Sequence, residues 1–406
     1  MTAARNARKH REPIHLPDAA RRTMRFFQRP TVSEPVTNKP DHTPARQVAV
    51  KPILIMAGGT GGHVYPALAV AEFLRARGVP LFWLGTERGI EARVVPAQGI
   101  ALLTIKIAGL RRKGVLGWVL GPFQAVIALA QAGAIMLRIR PAAVLGMGGY
   151  VSGPGGLAAW ILHIPLILHE QNAVLGLTNR LLAPLASRLL EGFPGTFLRE
   201  ERTEAIGNPV RASIAAVAPP DQRFAQAHTR LRLLVLGGSQ GARALNETVP
   251  QAVACAGAQY FDIRHQTGAP DQADTQAAYD KLGIAARVEP FIECMDQAYA
   301  WADLAVCRAG ALTLAELTAA GVAAVLVPYP HAVDDHQTVN ARYLSEGGAA
   351  VLVPQPELTA ERLAEILREF LANPGRLRDM AGNARRLAKP DATAQVGEIC
   401  LELARG

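Results

Sequence analysis

Two strand–turn–helix units of nearly the same design recur far apart in this 406-residue chain. In the first, the apolar run Ile53-Leu54-Ile55-Met56 feeds the turn Gly58-Gly59-Thr60-Gly61-Gly62-His63 and a helix-forming stretch over 67–77. In the second, Leu233-Leu234-Val235-Leu236 feeds Gly237-Gly238-Ser239-Gln240-Gly241-Ala242-Arg243 and a helix-forming stretch over 244–256. Glycine admits backbone angles closed to other residues and lets a phosphate approach the amides. The helix that follows offers unpaired N–H groups and the positive end of its dipole. Two such anion cradles imply two nucleotide-type domains facing each other. Neither turn fits a standard fingerprint. The first lacks the Gly-Lys-Ser/Thr ending of a P-loop, and Val64 stands where a dinucleotide fold wants its third glycine. ATP hydrolysis and ordinary NAD binding are demoted accordingly. The plainer alternative, turns that only pack a helix on a sheet, is weakened by repetition in matching contexts.

The length is too great for one comfortable core and suits two domains. Outside the two turns, strands and helices alternate, the pattern of an α/β fold with parallel sheets. Further strands are expected at 81–84, 101–105, 142–145, 166–168 and 189–190, then at 260–263, 287–288, 304–307, 324–327 and 349–352. Gly207-Asn208-Pro209-Val210-Arg211 breaks the alternation. The boundary is therefore placed after Arg211, giving domains over 51–211 and 212–390, with the last helix, within 391–406, crossing back to the first domain. The four cysteines, Cys255, Cys294, Cys307 and Cys400, have neither metal-ligand nor paired spacing, which fits a reducing compartment and argues against a zinc or disulfide scaffold.

The formal charge of +9 is uneven, since residues 1–50 hold ten Lys/Arg against four Asp/Glu. With its scattered prolines this leader reads as a disordered basic arm, suited to an anionic surface, and it lacks the apolar core of a secretory signal. Residues 114–137 carry no charge and are long enough to cross a bilayer. Crossing would put the strand at 53–56 and the strand at 142–145 on opposite sides, so a span is rejected. Instead Leu110, Val115, Leu116, Trp118, Val119 and Phe123, ringed by Lys106, Arg111, Arg112 and Lys113, read as a patch that dips into an anionic leaflet. Core packing is the alternative.

Other loops carry chemistry. The run from Gly146 to Gly156 holds Gly148, Gly149, Tyr150, Gly153 and Gly155 directly after a strand, and so much glycine suggests backbone contact with a ligand. His169-Glu170-Gln171-Asn172 follows another strand, at the sheet edge where ligands collect. Its order is not the His-Glu-x-x-His of zinc enzymes. Arg308 to Glu316 is again a helix start aimed at an anion, with Thr313 as hydroxyl donor and Glu316 either answering the helix dipole or accepting from a ribose. The loop from Pro328 to Asn340 holds His331, Asp334, Asp335, His336 and Gln337, and no metal is assigned to it.

In their order and spacing, these motifs resemble the bacterial UDP-N-acetylglucosamine:lipid I N-acetylglucosaminyltransferases, GT-B enzymes of glycosyltransferase family 28. The likeness runs from about Pro52 to the C-terminus and leaves out only the basic arm. It implies a GT-B fold, two Rossmann-like domains around a cleft, held peripherally on the cytoplasmic side of the inner membrane by anionic lipids. The implied reaction is inverting transfer of GlcNAc from UDP-GlcNAc to the C4 hydroxyl of the MurNAc unit of lipid I, giving lipid II. By the same resemblance the donor meets Ser239, Ile292, Ala311, Leu312, Thr313, Leu314, Ala315, Glu316 and Gln337, with Arg211 at the domain junction. Thr60, Gly61, Gly62 and Asn172 reach the sugar side, and the glycine loops with Tyr150 embrace the acceptor pyrophosphate. A tightly held metal is not required, although Mg²⁺ could assist. His63 is the first candidate for the base, because an imidazole suits proton transfer near neutral pH, and Glu170 is the second. Other cell-wall or division proteins are candidate partners, and no nucleic acid is expected. Two alternatives stay open: a transferase or epimerase with a soluble acceptor, and a dinucleotide binder using Glu87.

Overall fold

The computed structural model describes residues 51–107, 115–197, 201–225, 229–238 and 241–405, with only the backbone for 115–122 and 333. The basic arm, Leu110, the Arg111-Arg112-Lys113 cluster and Ser239 lie outside the described residues, as do the side chains of Val115, Leu116, Trp118 and Val119.

Apolar runs four to six residues long, bounded by turns, can be buried on both faces only inside parallel sheets covered by helices. The described strands form two such sheets. The first contains β1 (Ile53–Met56), β2 (Leu81–Gly85), β3 (Ala101–Thr104), β4 (Ala143–Gly146), β5 (Leu166–Glu170), β6 (Arg188–Glu191) and β7 (Thr203–Ala205), in the order β3-β2-β1-β4-β5-β6-β7. The second contains β8 (Leu231–Leu236), β9 (Phe261–Gln266), β10 (Ala286–Glu289), β11 (Leu304–Cys307), β12 (Ala323–Leu326) and β13 (Ala350–Leu352), in the order β10-β9-β8-β11-β12-β13. Central pairs are in parallel register, Ile53 beside both Leu81 and Ala143, and Leu304 beside Leu233. Each sheet steps outward one way, returns, and steps outward the other way, which is the doubly wound order of a Rossmann fold and the GT-B architecture. The reversals fall between β1 and β4 and between β8 and β11. The four richest motifs of the sequence are the loops that leave these four strands.

Three details differ from the sequence pattern. Strand β7 was not expected: Thr203-Glu204-Ala205 is polar and partly exposed, as an edge strand can be. The helix after β1 spans Gly61–Ala76 and so starts inside the glycine turn. Glycine is a poor helix former, but Thr60 begins the ladder, its carbonyl accepting from His63 and Val64 N–H at 3.2 Å. The second part of the glycine-rich run after β4 is likewise helical, within Ser152–Ile161. A Cβ on Gly155 would lie 2.2 Å from Met56 Sδ, and one on Gly156 2.6 Å from Leu182 Cδ1. These two glycines let the helix sit against the sheet and its neighbour, so the expected ligand contact narrows to Gly148, Gly149 and Tyr150.

The helix Val115–Ile139 turns Ala128, Ala132 and Met136 into the first sheet's core and leaves Phe123 66% exposed. Among the described residues no helix is long and apolar enough to cross a membrane. The final helix, Ala392–Arg405, packs Val396, Cys400 and Leu401 with Val70 and Leu74 of the helix after β1. The chain passes between the sheets twice, at 207–211 and 389–393, and the passages are tied together, with Thr393 Oγ1 accepting from Val210 N–H at 3.1 Å and donating to Val210 O at 2.9 Å. All four cysteines are unpaired.

Replacing Gly155 by Ala should force the helix off β1 and lower unfolding stability by about 1–3 kcal/mol, read as a drop in the urea midpoint at unchanged slope.

Candidate functional site

At the first reversal the loops after β1 and β4 are pressed together. Met147 N–H donates to Met56 O at 2.8 Å, and Gly148 and Gly149 have φ of +93° and +88°. A Cβ at Gly149 would sit 2.3 Å from Gly58 O, and one at Gly148 2.6 Å from His63 Nδ1. Only backbone fits in either place. Beneath the turn lies a buried carboxylate that the sequence reading passed over. Glu91 Oε2 accepts from Gly59 N–H at 3.0 Å, and Oε1 accepts from Thr86 N–H at 3.1 Å and Thr86 Oγ1 at 2.8 Å. Glu87, the acidic residue a dinucleotide fold would have used on ribose, is exposed, while Glu91 is spent on its own loop.

His63 sits in the first turn of Gly61–Ala76, half-buried, with Nδ1 2.9 Å from Gln171 Oε1. Gln171 Nε2 is 3.1 Å from Nδ1 of the fully buried His169, whose Nε2 is 2.9 Å from Gly207 O. Burial pushes the His169 pKa down to about 4, against a smaller upward pull from the Gly207 carbonyl, so its ring is neutral at physiological pH. Glu170 is buried and differently employed. Its Oε1 accepts from Asn172 N–H and Nδ2, and its Oε2 from Gly176 N–H at 3.1 Å and Asn179 Nδ2 at 2.9 Å. Both oxygens organise the loop after β5, so the geometry favours a positioning role for Glu170 over a base. Tyr150 is 51% exposed beside Gly59, and Thr60 and Gly62 are exposed, leaving the first-turn N–H groups open.

At the second reversal, the helix Ala311–Ala320 starts after Gly310, which has no side chain to cap the N–H groups of Ala311, Leu312 and Thr313. Arg308 anchors this loop, donating to Val327 O at 3.1 Å, Pro328 O at 3.2 Å and Gln355 Oε1 at 2.6 Å. One turn into the helix, the buried Glu316 carboxylate takes Arg211 at 2.8 Å on Oε1 and the Tyr299 hydroxyl at 3.1 Å on Oε2. Burial raises the Glu316 pKa, and Arg211 pulls it partly back by charge and hydrogen bond. Ile292 and Leu314, each 1% exposed, point their side chains into the core, so any ligand contact there comes from backbone. Ala315 is part-buried, and Gln337 Oε1 accepts from Tyr329 N–H at 2.9 Å, holding its own loop. Asp334 and Asp335 both have φ near +50°, the strained conformation that often marks working loops. Among the described residues no cluster of His, Cys, Asp or Glu is arranged to hold a metal ion.

The two halves of the site touch through Asn340, which is fully buried. Its Oδ1 accepts from Ala173 N–H at 2.8 Å, and its Nδ2 lies 3.3 Å from both Asn172 Oδ1 and Ala309 O. Arg211 makes the second link, its guanidinium 5.7 Å from the Tyr65 ring while it holds Glu316. Asn340 and Gln171 stood inside motifs singled out by sequence but carried no assigned role, because an amide has no charge or spacing rule to announce it. Glu91 had a faint signal in the flanking Gly85 and Gly89, whose added Cβ atoms would strike it.

Residues 53–190 match the glycosyltransferase family 28 N-terminal domain and residues 232–396 the glycosyltransferase family 28 C-terminal domain. A UDP-N-acetylglucosamine--N-acetylmuramyl-(pentapeptide) pyrophosphoryl-undecaprenol N-acetylglucosamine transferase of Alkalilimnicola ehrlichii is 59% identical over 355 residues, covering 87% of this chain and 99% of the relative. A transferase of the same name from Nitrosococcus oceani is 52% identical over 355 residues, with the same coverage of both chains. Among solved structures, the crystal structure of Acinetobacter baumannii MurG superposes with a TM-score of 0.74 at 42% identity, covering 87% of this chain and 99% of that one.

Two buried histidines, His169 on β5 and His265 on β9, give the fold a pH signature. Burial lowers His169 to about 4 and His265 to about 3, against 6.5 for an unperturbed ring. Below 6.5 the unfolded chain takes up protons that the folded chain refuses, so stability is complete above 6.5 and declines as pH falls toward 4. Each ring should contribute a slope of ~1.4 kcal/mol per pH unit in that window. Urea midpoints across the interval should show it, and His265→Gln should remove about half of the slope.

Proposed function

This chain belongs to glycosyltransferase family 28, and from that membership we infer that it is the enzyme that moves N-acetylglucosamine from UDP-N-acetylglucosamine to lipid I, forming lipid II for peptidoglycan. The observation that carries the mechanism is the pairing of a histidine at the first reversal with an uncapped helix start at the second. An α-linked donor giving a β-linked product requires one in-line displacement, with a base for the attacking hydroxyl and relief for the charge that develops on the leaving diphosphate. His63 takes the proton from the MurNAc C4 hydroxyl. The C4 oxygen bonds to C1 of GlcNAc as the bond from C1 to the diphosphate oxygen breaks, and UDP leaves with the electron pair. No covalent enzyme intermediate forms.

The donor is assigned to residues 212–390. The N–H groups of Ala311, Leu312 and Thr313, with the helix dipole behind them, face the diphosphate, and by the family resemblance Ser239 joins them. Glu316 accepts from the ribose hydroxyls. Each carboxylate oxygen has a lone pair to spare beyond Arg211 and Tyr299, so the ion pair orients the carboxylate without exhausting it. Among the described residues Arg211 Nε is buried without an acceptor, a donor in reserve for a ligand oxygen. Backbone at Ile292 meets the uracil, and Gln337 and Asn172 meet sugar hydroxyls. Residues 51–211 with the final helix take the acceptor, its pyrophosphate against the open N–H groups of Gly61 and Gly62 and the loop at Tyr150. Charge relief by N–H groups leaves Mg²⁺ an assisting part.

The acceptor is a lipid, and a peripheral membrane position follows. The helices Val115–Ile139, Ser152–Ile161 and Leu177–Leu182 cover one face of the first sheet, sharing a core through Ala128, Ala159 and Leu182. Their outer sides expose Phe123, Val126, Trp160 and Leu181, an apolar surface suited to an anionic inner leaflet.

Radiolabelled GlcNAc should pass from UDP-GlcNAc to a short-chain lipid I analogue, with β configuration in the product. His63→Ala should lower kcat by about 10²–10⁴-fold and leave UDP affinity within about twofold. UDP binding without transfer would sink the lipid acceptor, and an α-linked product would sink inversion.

A further inference from the structure

We propose that Gln171 is a positioning residue that fixes which nitrogen of His63 carries the proton, and that His169, the Gly207 carbonyl and the Asn208 side chain hold Gln171 in the only orientation that does so. The proposal rests on the reading of His63 as the base.

The assignment starts from an atom that can only accept. Gly207 O lies 2.9 Å from His169 Nε2, so that nitrogen bears a hydrogen and donates it. The His169 ring is fully buried and neutral, which leaves its Nδ1 bare. Gln171 Nε2 is 3.1 Å from that bare nitrogen and 3.4 Å from the His169 carbonyl oxygen. Both partners accept, so the amide must present its NH₂ to them and its oxygen to the other side. That oxygen, Oε1, is 2.9 Å from His63 Nδ1 and can itself only accept. His63 therefore carries its hydrogen on Nδ1, and its Nε2 is the unprotonated nitrogen. The backbone of Gln171 is held as well, because Asn208 Nδ2 donates to Gln171 O at 2.9 Å. The His63 ring reaches this position only because residue 148 is glycine, whose Cβ would otherwise sit 2.6 Å from Nδ1.

The tautomer matters because a base must offer a lone pair where the hydroxyl arrives. A free neutral imidazole places its hydrogen on either nitrogen, and with the hydrogen on Nε2 that nitrogen cannot take a proton. When the C4 hydroxyl proton moves to Nε2, the imidazolium still has its Nδ1–H···Oε1 bond, and the proton on Nε2 leaves to solvent after UDP departs. Gln171 neither gains nor loses a proton. The other titratable groups around His63 are His169 behind Gln171, Glu170 in the same loop, Glu91 under Gly59, Tyr65 on the same helix and Tyr150 across the glycine loop. Glu91 and Glu170 are both engaged by loop donors, and Gln171 is the group bonded to the ring.

The test uses full-length protein labelled with ¹⁵N-histidine, with His63→Ala to assign the resonances, beside Gln171→Leu and Gln171→Glu. The native enzyme should show His63 protonated at Nδ1 and bare at Nε2. Gln171→Leu should move hydrogen onto Nε2 and lower kcat about tenfold or more with KM for UDP-GlcNAc unchanged. Gln171→Glu, which keeps an acceptor but adds charge, should retain the Nδ1–H form and move both the His63 titration and the acid limb of the kcat profile to higher pH. The proposal falls if native His63 is protonated at Nε2, if Gln171→Leu changes neither tautomer nor kcat, or if the tautomer changes while kcat does not. If Gln171→Leu fails to fold, an unmoved titration in Gln171→Glu overturns it. Retained turnover in His63→Ala would instead remove the base reading, and the native tautomer would still report on Gln171.

Discussion

Where β1 and β4 end, the Gly149 backbone lies so close to Gly58 that a single added carbon would stand 2.3 Å from its carbonyl oxygen. The contact is possible because the two strands are neighbours in the sheet while the chain between them makes a long excursion through β2 and β3. Strand order thus brings two distant glycine loops to one point, and glycine lets them meet without a side chain in between. Much of the first half-site follows from this contact. The His63 ring rests on Gly148, the helix begins with open N–H groups, and Glu91 holds the turn from beneath through Gly59. A larger residue at 148 would push against the His63 ring, and one at 149 against the main chain of Gly58.

The second half-site is tied to the first by polar side chains removed from solvent. Asn340 bridges the loop after β5 and the carbonyl of Ala309, beside the start of the helix that carries Glu316. A buried amide of this kind is costly when half satisfied and rigid when fully satisfied. Arg211 works differently. It lies at the chain's first passage between the sheets and neutralises a carboxylate that burial would otherwise drive toward its protonated form. Removing Arg211 would leave that carboxylate buried and unpaired, so its place in the fold and its place in the site cannot be separated.

Most of the fold was legible because parallel strands buried on both faces must be short and continuously apolar, and turns rich in glycine mark their ends. What escaped was whatever lacked that contrast. Thr203-Glu204-Ala205 forms an edge strand with no apolar run, and Gly61, Gly62, Gly155 and Gly156 are helical because tertiary packing overrides their poor propensity. The site was legible in its charged and glycine positions. His63 stands beside a second loop and Glu316 beside a helix start, where their sequence contexts suggested. Sequence could not separate Glu170, whose oxygens are consumed by its own loop, from a free base. Nor could it reveal Gln171 or Asn340, whose importance lies in which neighbour each amide atom faces.

The two sheets share one strand order yet place their carboxylates at different points of it. In the first, Glu91, on the helix after the second strand, turns inward to hold the glycine loop, while Glu87 at the strand's end stays exposed. In the second, the carboxylate sits on the helix after β11, and Glu316 lies against a helix start whose N–H groups remain open. The first reversal thus has its buried carboxylate engaged by its own loop and a histidine at its mouth. The other is left with an acceptor and an anion cradle but no imidazole on its glycine turn. A nucleotide donor is better served by the second and a hydroxyl acceptor by the first. The division of labour proposed for two copies of one architecture rests on this contrast between Glu91, spent on its own loop, and Glu316, set one turn behind an open helix start.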